Sequence, residues 1–92
     1  MSKTRDITFG NGAKCVLELD SNATHPGSDP ELTVSSYPVH GLGRGELAIL
    51  VTRSQAPAIV SVDVVDRATQ LTRDDLEQIR SRAEAIFRAQ SQ

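Results

Sequence analysis

Residues 71–88 read Leu-Thr-Arg-Asp-Asp-Leu-Glu-Gln-Ile-Arg-Ser-Arg-Ala-Glu-Ala-Ile-Phe-Arg, and this stretch decides the fold. Thr72 stands at an N-cap position, where its hydroxyl accepts from an orphan amide of the first turn. Asp75, three residues on, resembles a capping box, and Leu71 and Leu76 occupy the two positions of a hydrophobic staple. Acidic Asp74, Asp75 and Glu77 crowd the positive helix start, while Arg80, Arg82 and Arg88 lie toward its negative end. Arg73–Glu77, Arg80–Glu84 and Glu84–Arg88 are spaced i,i+4, each pair adding about 0.2–0.5 kcal/mol. Leu76, Ile79, Ala83 and Ile86 recur at helical spacing, with Phe87 widening the stripe. A helix over 73–90 with one oily side needs a surface to lie on.

Upstream, the periodicity changes from helical to alternating. Asp6 to Phe9 and Ala13 to Leu19 read as a hairpin about Gly10-Asn11-Gly12, since Asn-Gly tolerates the positive φ of a tight turn. Ile7, Phe9, Cys15, Leu17 and Leu19 fall on its inner face. Asp20 to Pro30 is dominated by turn formers, shows neither helix nor strand periodicity, and reads as a long loop. Glu31 to Tyr37 alternates, with Leu32 and Val34 opposed to Thr33, Ser35 and Tyr37, and Pro38 is expected to end that strand. After the glycine-spaced turn His40 to Gly45, Glu46 to Arg53 places Leu47, Ile49 and Val51 against Ala48, Leu50 and Thr52. Ala58 to Val65 gives the last strand, with Val60, Val62 and Val64 inward and Ile59, Ser61, Asp63 and Val65 outward. The expectation is a single α+β domain over 1–92. Four to five antiparallel strands lie within 4–65, and one C-terminal helix packs on one face.

Composition narrows the function classes. Phe9, Tyr37 and Phe87 are the whole aromatic complement, so the core rests on Leu, Ile, Val and Ala, poor material for a deep enzymatic cavity. Ten basic and twelve acidic residues are interspersed, for a net charge of −2. No basic cluster offers the phosphate neutralisation that nucleic-acid binding rests on, so a nucleic-acid partner is not expected. The single cysteine rules out an intrachain disulfide. The first residues lack a signal-peptide apolar region, and the longest apolar run, Leu47 to Val51, is far below the ~20 residues of a membrane span. The cytoplasm is the expected compartment, with no membrane association.

No residue grouping reaches a catalytic, metal or cofactor signature. His25, His40 and Cys15 lack the close ligand spacing of zinc sites. Cys15 falls mid-strand on the inner face, where thiols are inert. Asp63 and Asp66 read as surface charge. The turn His40, Gly41, Gly43, Arg44 suggests an anion site, but phosphate loops open helices, and this one opens a strand.

The more informative surface is the sheet face that the helix leaves bare. There Val16, Tyr37, Leu50, Ile59 and Val65 are expected to gather as a partner-binding patch. The reading is a non-enzymatic regulatory module, an inhibitor, adaptor or assembly factor, that binds a protein partner or itself as a homodimer. Its size suits a phage- or plasmid-encoded modulator. The alternatives are a nucleic-acid binder using the sheet and the Arg44 loop, or a small-ligand binder at the 40–45 turn with His40, Arg44 and Tyr37.

Overall fold

A computed structural model describes residues 3–26 and 29–90. The elements are β1 (Thr4–Phe9), β2 (Ala13–Glu18), β3 (Ala23–Pro26), β4 (Leu32–His40), β5 (Glu46–Ser54), β6 (Ile59–Arg67) and α1 (Arg73–Gln90). All strand pairs are antiparallel, in the order β1-β2-β4-β5-β6, with β3 also paired to β4. The fold is α+β, one helix on an antiparallel sheet.

The expected 20–30 loop is therefore interrupted by a strand. β2 and β3 share one edge of β4: Leu17 sits opposite Val39 and Val16 opposite His40, while Ala23 to Pro26 face Ser36 to Thr33. Alternation in Ala-Thr-His-Pro carries no apolar signal, so only the neighbour's free edge defines that strand. Pro38 does not end β4, which continues to His40. It falls where β4 changes partners, and neither Tyr37 nor Pro38 is paired to β2 or β3. A residue without an N–H costs least at such a break.

The continuation through Pro38 reverses the expected facing of β4. Tyr37 and Val39 join Ser35 inside, whereas Val34, Ser36, Pro38 and His40 turn outward. Two adjacent inward positions, one aromatic and one β-branched, outweigh Leu32 and Val34 at the frayed start of the strand. The β1–β2 turn also departs from the Asn-Gly expectation: Gly10 and Gly12 take the positive φ angles, not Asn11.

The core gathers Ile7, Phe9, Cys15, Leu17, Tyr37, Val39, Leu47, Ile49, Val51 and Val62 beneath Ile79, Ala83 and Phe87 of the helix. Leu76 and Ile86, expected in the central stripe, flank it half-buried. Phe87 meets Tyr37 at a ring-centroid distance of 4.5 Å, tilted by 47°. Arg53 lies 5.9 Å from both ring centroids, and its Nη1 donates to the Tyr37 hydroxyl at 3.1 Å. That bond satisfies the one polar group the tyrosine carries inward.

The helix start follows the sequence closely. Thr72 Oγ1 accepts from the Asp75 amide at 3.1 Å, and the Thr72 carbonyl accepts from Leu76 N at 3.0 Å. Gly10 N donates to Gln78 Oε1 at 3.0 Å, which ties the β1–β2 turn to the first helical turns. Arg80 is the hub of the outer flank, forked onto Glu77 (2.9 and 2.7 Å) and reaching Glu84 at 2.9 Å; Arg88 holds the other Glu84 oxygen at 2.9 Å. Glu77 pairs with Arg80 in place of the expected Arg73.

α1 lies close to β1 and β6, the two opposite ends of the strand order. Its start sits by Gly10 and its end by Lys3 and Arg5, so it runs antiparallel to β1. From its other flank, Arg80 Nη1 donates to the Val62 carbonyl of β6 at 3.4 Å. A helix about 10 Å across touches both edges only if the sheet curls around it. One face of the sheet is thereby filled, and the other is left open.

Between β6 and α1 the chain makes a tight passage. Ala68 and Gln70 both adopt φ of 63°. Asp66 Oδ1 accepts from the Thr69 amide at 3.1 Å and from the Thr69 hydroxyl, and buried Thr69 in turn accepts from Leu71 N at 3.5 Å. Asp66, expected as plain surface charge, thus anchors the helix entry. Gly45 packs onto this passage: a Cβ there would meet the Arg67 and Ala68 backbone, with the Ala68 carbonyl oxygen 2.5 Å away.

Candidate functional site

The open face is built from alternate residues of five strands. Val16 and Glu18 come from β2, His25 from β3, and Val34, Ser36, Pro38 and His40 from β4. Ala48 and Leu50 come from β5, and Val65 and Arg67 from β6. Cross-strand register brings Pro38, Ala48 and Val65 into one row and Ser36, Leu50 and Asp63 into the next. Its apolar members are half-buried among their neighbours.

At the β4–β5 end this face is hollowed into a cleft of about 780 Å³. Pro38, Ala48, Leu50 and Val65 supply its apolar surface, Ser36, His25, His40, Glu46 and Arg67 its polar side chains, and the 41–45 turn its end wall. His40 is fixed by Glu18 of the neighbouring strand, Nε2 to Oε1 at 3.0 Å. A volume of several hundred Å³ with an apolar floor and a few convergent polar groups is the usual form of a ligand or side-chain pocket.

Of the residues expected on this surface, Val16, Leu50 and Val65 lie there, and Leu50 and Val65 line the cleft. Tyr37 does not: it is 5% exposed beneath Phe87. Ile59 does not either. β5 and β6 slip register at Thr52/Arg53, so that Ser61 faces Thr52 while Ile59 faces Arg53. Val60 is the extra residue of this bulge, and one inserted position moves Ile59 to the helix side, where it packs on the core. Val60, expected inside, is instead 54% exposed, beyond the helix's reach.

The expected glycine-turn residues divide similarly. His40, Gly41 and Gly43 line the cleft, but Arg44 does not. The Arg44 amide is already spent on the Leu42 carbonyl at 3.0 Å, which removes one donor from any anion. Sequence reading missed His25, Ser36, Pro38 and Arg67; the parity of β4 counted from Val39 would have found two of them.

Among the described residues no group of three or more His, Cys, Asp or Glu side chains is placed to hold a metal ion. Burial pushes the Cys15 thiol up to about 11, far from the thiolate a nucleophile requires. Strand addition at β6 is obstructed, since Arg80 caps the Val62 carbonyl and the Val60 bulge distorts one end. Among the described residues no helix is long and apolar enough to cross a membrane. No family model, curated protein or solved structure matches the chain.

Proposed function

We propose that this chain is a non-enzymatic binding module that recognises a protein partner through the open sheet face, with the Leu50–Val65 cleft at its centre. The observation that carries the reading is the cleft itself. It is an apolar hollow on the only broad face that the helix leaves bare among the described residues, floored by hydrogen-bonded strands with the 41–45 turn as its end wall. Such a rigid concavity accepts an anchoring side chain at little entropic cost. An inhibitor, adaptor or assembly factor would use it in this way.

The test is co-purification from the native host with the wild-type chain, Leu50→Arg and Arg82→Ala. Leu50→Arg faces Asp63 across the strands, so the new charge has a partner and the fold is kept. Arg82→Ala alters the exposed helix side. A partner lost by Leu50→Arg and retained by Arg82→Ala is expected. The reverse pattern, or full retention by Leu50→Arg, overturns the reading. Light scattering on the same samples distinguishes a second copy of the chain from a different protein.

A further inference from the structure

We infer that the cleft also binds a small apolar carboxylate directly, a ligand that the protein-partner reading does not require. The inference starts from Arg67. Its side chain lines the cleft, is exposed, and makes no hydrogen bond or ion pair with any described residue. Glu46 is its register partner on β5, yet the two carry no salt bridge. The guanidinium therefore stands beside the apolar floor with its fork unoccupied.

The surrounding side chains set the sign and shape of the ligand. Arg67, His25 and His40 come from three strands; His40 is already held by the Glu18 carboxylate at 3.0 Å and Glu46 lines the cleft, so Arg67 is the lining cation left without a carboxylate in contact. A planar guanidinium matches a carboxylate with two parallel hydrogen bonds. A phosphate fits less well, because it draws on several backbone amides and cations. Here the Arg44 amide is satisfied by Leu42, and the Arg44 side chain lies outside the cleft. Pro38, Leu50 and Val65 would then cover an aliphatic or aromatic body.

The test uses the full ¹⁵N-labelled chain titrated with sodium octanoate, octanamide and sodium acetate. Saturable shifts are expected with octanoate at the amides of residues 40–48, 50 and 65–67. Octanamide, lacking the charge, and acetate, lacking the tail, should each bind at least tenfold more weakly. Arg67→Gln should weaken octanoate at least tenfold and leave octanamide unchanged. Its own spectrum shows whether the fold persists, and Val65→Thr, which sets a hydroxyl into the apolar floor at nearly unchanged volume, serves as the second variant, lowering both octanoate and octanamide binding. Competition by N-acetyl-Ala-Leu against its amide separates two sources of the same chemistry: displacement by the acid alone points to a chain terminus, and no displacement by either points to a free acid. Absence of saturable octanoate shifts, or equal binding of octanamide, or indifference to Arg67→Gln overturns the inference. None of these results depends on the partner experiment.

Discussion

Replacing Gly45 by alanine tests whether the β4–β5 turn and the helix entry are one packed unit. Gly45 has φ of 72°, and its missing Cβ leaves room for the Arg67–Ala68 backbone. An L-residue in that backbone region costs about 1–2 kcal/mol. Forcing a methyl group into occupied space adds about 1–3 kcal/mol, for a total of about 2–5 kcal/mol. Gly43 supplies the control, since its φ of 84° carries the same backbone cost while nothing lies within 4 Å of a Cβ there. The two variants therefore differ by the contact alone. Each kcal/mol moves the melting midpoint of a domain this size by about 4–8 °C, so Gly45→Ala should melt at least about 4 °C below Gly43→Ala. Urea titration at fixed pH gives the same comparison as a shift in midpoint at unchanged slope. Amide exchange should rise together in residues 41–45 and 67–70, because the turn loses its seat on the passage. Equal midpoints for the two variants would refute the close approach of these backbones.

Three further outcomes follow from named contacts. Thr72→Ala removes the acceptor of the Asp75 amide and should cost about 1 kcal/mol in urea titration, against little change for Arg82→Ala on the exposed side of the helix. The folded Cys15 thiol keeps its proton to about 11, while an unfolded one loses it near about 8.5. The unfolded state then binds fewer protons in that window, so stability is complete below it and falls as pH rises, by at most about 1.4 kcal/mol per pH unit. Cys15→Ala, compared across the same alkaline range, should lack that portion of the slope. Hydrogen bonds from Arg80 hold the Glu77 and Glu84 carboxyls below their usual range, with Arg88 assisting at Glu84. Their contribution is present at neutral pH and lost on acidification, so Arg80→Gln should flatten the acid limb of the stability profile measured by urea titration.

The open face shows how partly a site can be read from order along the chain. Leu50 and Val65 sit in β5 and in the C-terminal part of β6, where strict alternation settles which side each residue takes. The same rule puts Tyr37 and Ile59 on the open face, yet both lie on the opposite side. In β4, alternation taken from Leu32 and Val34 points Tyr37 outward, but the strand runs on through Pro38 to His40, and Tyr37 and Val39 take the inner face. In β6 one extra residue, Val60, shifts the parity of everything before it. A period of two is unforgiving, since a single slip exchanges the faces of a whole segment.

By itself, the sequence determined the helix from its cap at Thr72 onward, the β1–β2 hairpin, the inward side of β5 and the α+β class. These are local matters, settled by hydrogen bonds within a few residues and by side-chain spacing along one element. Tertiary structure alone decided that β3 exists, that the sheet curls until both edges meet α1, and that His25, His40 and Arg67 share one hollow with Leu50 and Val65. Each of these depends on which backbone edge another strand leaves vacant and on how far the sheet bends. Neither is written in the periodicity of any single segment, because both are set by contacts between residues far apart in the chain.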